Sequence, residues 1–284
     1  MNKPDVIFFG NGPLADFTLE VLTPATSIIF HARTRDDLET VKRLKSEHPE
    51  ALGILASFGV LIKQDVLDLF EPEGILNLHP SLLPLYRGAS PIESAILNGD
   101  TTFSVSIMKL VKAMDAGPVY HQETLDNLPL DKTEIYKALA TAGATWLCEN
   151  LSNFATFRTQ PDSPTSIFPD YHLQDDQKAT FTQKLDKSMS FLAPETDSAE
   201  KTLRKIVAFQ IFPKPKYNFY NQDVIILSAH IESSCPDATK NLFIKCADNN
   251  YVVVDRLQPL SRKPMDAKSF LNGLPKLKSC LGFE

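Results

Sequence analysis

Asn77-Leu78-His79-Pro80-Ser81-Leu82-Leu83-Pro84-Leu85-Tyr86-Arg87-Gly88 is the stretch of this 284-residue chain richest in groups able to do chemistry. It closes an apolar run, Ile75 to His79, that reads as a strand. Residues two apart on a strand share a face, so Asn77 and His79 present an amide donor and an imidazole side by side. A polar pair at a strand end can equally be structural. The prolines and glycine that follow impose an irregular loop, suited to a rigid pocket wall rather than a hinge. A second candidate is the loop Ala113-Met114-Asp115-Ala116-Gly117-Pro118. An unpaired carboxylate among small and apolar neighbours is costly, so Asp115 is expected to face a partner or a cleft. Against His79 it would orient the ring and favour imidazolium, while Asn77 and His79 hold a developing oxyanion. Such a trio serves direct acyl transfer to an amine, with no covalent intermediate.

Competing chemistries find less support. Ser81 lacks a nucleophile-elbow pattern. His79, His121 and Asp115 lack the H-x-x-x-H or H-x-H spacing of a metal site, and no metal is expected. His31, His48, His172 and His230 have no acid or cysteine constellation nearby. Cys148, Cys235, Cys246 and Cys280 lie far apart without a C-x-x-C pair and read as reduced, structural thiols. Gly10-Asn11-Gly12-Pro13-Leu14-Ala15 formally fits a dinucleotide fingerprint, but no acidic residue closes the second strand and Pro13 lacks a backbone donor. A tight turn between strand and helix is the simpler reading.

The elements that must position these groups alternate. Val6 to Phe9, Ser27 to Phe30, Leu52 to Ala56 and Ile75 to His79 have strand character, and Leu14 to Leu22, Thr34 to Glu47 and Lys63 to Phe70 have helical spacing. The order predicts an α/β domain with an open, mostly parallel, Rossmann-like sheet and helices on both faces. A helix from Pro91 to Asn98, a strand from Phe103 to Leu110, extended chain from Val119 to Gln122 and a long helix from Asp131 to Phe157 complete it. The domain is taken as residues 1–158, a Pro- and Ser-rich linker as 159–176, and a smaller OB-like β-barrel domain as 177–284. In the last part a helix is expected over Ser198 to Ala208 and strands over Asp223 to Leu227, Leu242 to Cys246 and Tyr251 to Leu257.

Composition bounds the rest. Twenty-nine Lys and Arg against 35 Asp and Glu, with 43% apolar residues, describe a globular chain without a membrane-spanning run, and a cytoplasmic location is the default. Residues 1–176 carry 13 basic and 24 acidic side chains, residues 177–284 carry 16 and 11. A basic second half suggests a polyanionic partner for it.

Asn77-x-His79, Ser81-Leu82-Leu83-Pro84, Tyr86-Arg87-Gly88-Ala89-Ser90-Pro91 and Met114-Asp115-Ala116-Gly117, in this order, resemble the blocks of the 10-formyltetrahydrofolate-dependent formyltransferases. The likeness continues through Ala179-Thr180-Phe181 and Leu257-Gln258-Pro259 and is strongest to the branch acting on initiator methionyl-tRNA. The resemblance implies catalytic roles for Asn77, His79 and Asp115. It implies folate contacts at Phe58, Gly59, Ile62, Ser81, Leu82, Leu83, Pro84 and Gly117, a tRNA partner, and a monomer. Phosphate contacts are expected from Arg87, Lys201, Arg204, Lys205, Lys214 and Lys216. The sequence departs from the family after the second strand, where a long basic loop is replaced by His31-Ala32-Arg33-Thr34. Three alternatives stay open: a formyltransferase for a small amine such as an amino-sugar nucleotide or glycinamide ribonucleotide, a silent RNA-binding module, and a nicotinamide oxidoreductase.

Overall fold

The computed structural model describes residues 3–159, 170–260 and 262–273. Its contacts group the chain into two units, Met1–Ile92 with Thr101–Gln183 and Glu93–Asp100 with Lys184–Glu284.

The first unit holds a six-stranded sheet. Its strands are β1 (Asp5–Gly10), β2 (Ser27–Ala32), β3 (Leu52–Ala56), β4 (Ile75–His79), β5 (Thr102–Lys109) and β6 (Val119–Asp126), in the spatial order β2-β1-β3-β4-β5-β6. The first four pair in parallel, and β5 and β6 add antiparallel hairpin strands. Helices α1 (Gly12–Leu22), α2 (Asp37–Glu47), α3 (Gln64–Leu67) and α5 (Lys132–Thr159) connect or cover them, and α4 spans Pro91–Asn98. Helix α2 begins later than its spacing predicts because the Asp37 carboxylate accepts from the Arg33 and Thr34 amides and the Thr34 hydroxyl, closing a turn first. The helix expected over Lys63 to Phe70 divides into α3 and a 3₁₀ turn, Asp68–Phe70. Strand β6 runs past Gln122 to Asp126: as an edge strand it keeps a polar, half-exposed tail that its composition hides. Helix α5, about 42 Å long at its residue count, packs on α1 and β5.

The segment expected to be a spacer over 159–176 is partly bound. Residues 160–169 lie outside the described residues, but His172 pairs with Val119 through both backbone bonds. Residues Thr180 and Thr182 likewise bond the backbone of Pro84 and Arg87.

The second unit is a curled antiparallel half-barrel. Strands β7 (Lys216–Phe219), β8 (Gln222–Glu232), β10 (Tyr251–Pro259) and β11 (Met265–Asp266) lie in the order β11-β10-β8-β7, with β9 (Leu242–Lys245) also on β10. Irregular register between β8 and β10 around Asp255 bends the sheet. Helix α6 (Ala199–Ala208), capped by the Ser198 hydroxyl, and α7 (Ala267–Asn272) contribute Ala199, Ile206 and Phe270 to a core with Val224, Ile226, Val252 and Leu257. Strands β7 and β11 and helix α7 were not separable in sequence. Cys280 and Ser261 lie outside the described residues.

Candidate active site

Strand β4 carries the central groups, and all its residues are buried. Leu78 meets α5 where Gly143 omits a Cβ that would stand 2.7 Å from its Cδ1, so the helix lies directly on the strand. Alternation turns Asn77 and His79 to the other face. Asn77 is 4% exposed, and among the described residues no side chain or backbone group hydrogen-bonds its amide. Its side-chain donors are therefore open to a bound group.

His79, 5% exposed, lies opposite Ser106 of β5. Its Nε2 is 3.2 Å from the Tyr86 carbonyl oxygen, a long contact that can be shared with an incoming acceptor. Its Nδ1 is 3.8 Å from Asp115 Oδ1. The other carboxylate oxygen of Asp115 accepts from the Gly88 amide at 2.7 Å, and its backbone adopts φ +48°. His79 at the end of β4 and Asp115 on the loop between β5 and β6 therefore meet, with Asn77 on the same face of the strand.

Gly117 permits this approach. It is buried, and a Cβ there would run into the Lys109 carbonyl oxygen, which lets the Asp115 loop fold back against β5.

The loop after β4 is fixed by residues that sequence reading missed. The Ser106 hydroxyl donates to the Ser81 carbonyl at 2.6 Å and accepts from the Leu83 amide at 3.1 Å. Gln122 Nε2 donates to the Leu83 carbonyl and to Ser106 Oγ, each at 2.9 Å. Ser81 itself donates to the Leu85 carbonyl at 2.7 Å. Leu83 is buried with Met108 and Val119, Pro84 is half-buried, and Leu82 stands 40% exposed. The available sequence signal was serine at alternate positions of β5, where Ser104 and Ser106 interrupt an otherwise apolar strand.

Other residues expected at the site are engaged in packing or in bonds to the chain. Phe58 and Ile62 belong to the core with Ile7, Phe9 and Val66, and Phe58 meets Phe9 edge-on at 5.6 Å. Their side chains are therefore committed to packing, and Gly59, at φ +70° and exposed, is what the turn presents outward. Arg87 is 4% exposed, with its guanidinium donating to Gln174 Oε1 and Asp176 Oδ1. It braces a loop within the first unit.

In the second unit Lys201 and Lys205 both pair with the buried Asp197, at 2.6 and 2.5 Å, and Arg204 pairs with Glu200 at 3.1 Å. Burial opposes ionisation of Asp197, but the bonds from the two lysines outweigh it and hold the carboxyl below the usual range. Lys214 is exposed, and Lys216 lies 5.7 Å from the Phe191 ring centroid.

Among the described residues there is no cluster of side chains arranged to hold a metal ion, and no helix is long and apolar enough to cross a membrane.

Residues 10–151 match the formyl transferase family and residues 184–275 the formyl transferase C-terminal domain. With that match and this architecture, the chain belongs to the formyl transferase family and is a formyl-transferring enzyme. A methionyl-tRNA formyltransferase of Roseiflexus sp. (strain RS-1) is 32% identical over 263 residues, covering 89% of this chain and 74% of that protein. The fold is shared with methionyl-tRNA formyltransferase from Clostridium thermocellum, at a TM-score of 0.60 and 14% identity over 91% of this chain and 99% of that one. It is shared also with HypX from Aquifex aeolicus in complex with tetrahydrofolic acid, at a TM-score of 0.74 and 17% identity over 97% of this chain. The chain spans about half the length of HypX, matching 48% of it.

Proposed function

We propose that the enzyme transfers the formyl group of 10-formyltetrahydrofolate to the amino group of initiator methionyl-tRNA, with Asn77, His79 and Asp115 as its catalytic residues. The approach of His79 to Asp115 at the end of β4, with the Asn77 amide on the same strand face, carries this reading. Open α/β sheets bind ligands at that edge.

The neutral amine attacks the formyl carbon, a C–N bond forms, and the carbonyl oxygen takes the electron pair. The Asn77 amide and the protonated His79 ring stabilise that oxyanion. Asp115 supports the ring's positive charge and accepts the proton lost from the amine, directly or through water. Collapse of the intermediate re-forms the carbonyl and breaks the bond to N10 of the folate, which receives the proton taken up by Asp115, directly or through water. The loop Ser81 to Pro84, held by Ser106, and the turn at Gly59 supply the folate contacts. Lys214 and Lys216 are the phosphate contacts of the second unit, and the resemblance carries with it a cytoplasmic monomer.

A formyltransferase for a small amine is the second reading, favoured by the short connection from Arg33 to Asp36 between β2 and α2. Incubating the protein with formyl-labelled 10-formyltetrahydrofolate and either methionyl-tRNA or small amines separates the two. Label stable to acid in the tRNA fraction is expected, and label only in an amino sugar or glycinamide product would overturn the proposal.

A further inference from the structure

We infer that Gln174, in the segment following the long helix, is a positioning residue for formyl transfer, a conclusion that rests on the catalytic role proposed for Asp115. Its side chain is half-buried between exposed Leu173 and Asp175 and uses its full hydrogen-bonding capacity. Nε2 donates to the carbonyl oxygens of Asp115 and Gly117, each at 2.8 Å. Oε1 accepts from Arg87 Nε at 3.0 Å and from Arg87 Nη2 at 2.8 Å. The neighbouring Gly88 amide then donates to Asp115 Oδ2.

The result is a closed ring of bonds running from Asp115 to Gly88, Arg87, Gln174 and back to Asp115. The ring clamps both ends of the Asp115 carboxylate's setting, its own backbone and the amide that orients its outer oxygen. Asp115 Oδ1 is what remains to face His79. The backbone of Asp115 lies in the left-handed region, where a non-glycine residue needs its surroundings to hold it. A primary amide is the side chain that both accepts from the guanidinium and donates to two carbonyls. A glutamate of the same length keeps the Arg87 contact but sets oxygen against oxygen at Asp115 and Gly117.

Gln174→Glu therefore isolates the clamp on the Asp115 loop from the brace on Arg87, and Gln174→Ala removes both. For Gln174→Glu, kcat is expected to fall at least about tenfold, as a displaced catalytic group costs, with KM for donor and acceptor within about threefold. Hydrogen exchange without substrate is expected to quicken at amides 113–117 while β1, β3 and β4 keep their protection. Wild-type kcat and unchanged exchange at 113–117 in Gln174→Glu would overturn the assignment. So would faster exchange throughout the first unit, which would mark a general stability role. Since exchange is read without substrate, a wild-type enzyme that fails to formylate methionyl-tRNA sinks the substrate reading and leaves the clamp to be decided by exchange.

Discussion

The loops at the end of β4 and the helix α6 use charge in opposite ways. Around Asn77 and His79 the polar groups are buried, and their neighbours are fixed by bonds to backbone: Ser106 and Gln122 hold the Ser81 to Leu83 loop, and Gly88 holds Asp115. On α6 the cations of Lys201, Arg204 and Lys205 reach water and bond acids on or beside the same helix. Buried dipoles held in advance cost little reorganisation when charge develops beside them, which is what a transition state rewards. Solvated charges add small, screened and nearly additive increments, which suits holding a polyanion. Under the proposed function, the first region suits chemistry and the second attraction.

The sharpest way to break this contrast is to remove the donors at β4. Asn77→Ala and His79→Ala are each expected to lower kcat by about 10² to 10³, with KM far less affected. Turnover within threefold of wild type in either variant would show that the buried site is not the chemical one.

Next in size is the loop's support. Ser106→Ala leaves the Leu83 amide and the Ser81 carbonyl without their partner in the interior, at a cost of about 1–3 kcal/mol in stability. KM for 10-formyltetrahydrofolate is expected to rise more than KM for the acceptor. Chemical denaturation and steady-state kinetics measure both, and an unaltered midpoint would mean that the loop is held by other means.

On the charged side, tRNA affinity is expected to fall steeply with salt. Lys214→Ala and Lys216→Ala should each lower the slope of log affinity against log salt by about one and leave kcat nearly unchanged. Lys201→Ala should lower it less, because Asp197 already neutralises that ammonium. A larger effect at Lys201 than at Lys214 would reverse the assignment.

The smallest effect concerns Asp197. Its carboxyl is held below its unfolded value, so the stability it contributes is complete above roughly pH 4, the ordinary aspartate range, and is lost as pH falls through the lower folded value. Asp197→Asn removes that dependence. Melting curves of the variant between neutral and acidic pH should fall less steeply than those of wild type, and parallel curves would count against the pairing.

Local pattern made part of this legible. The parallel core strands, the adjacency of Asn77 and His79, and the helix over Ser198 to Ala208 follow from periods of two and 3.6 residues, which a few neighbours in the chain suffice to express. The polar tail of β6, the short β7 and β11, and α7 were not, because an edge strand or a single turn takes its partner from elsewhere in the fold. Aromatic Phe58 looked like a pocket wall, yet the side of the turn it occupies is decided by the space left beside Phe9. Arg87 looked like a phosphate contact, yet Gln174 and Asp176 reach it from a segment whose composition resembles a spacer.

By itself the sequence determined which groups exist, which share a strand face, and that the first domain is an α/β sheet, since these depend on spacing alone. Only the tertiary structure decided that Asp115 meets His79, that Ser106 holds the loop after β4, and that Gln174 closes the circuit behind Asp115. Those contacts join residues far apart in the chain, and their geometry is set by how helix and strand pack, for which no local period exists.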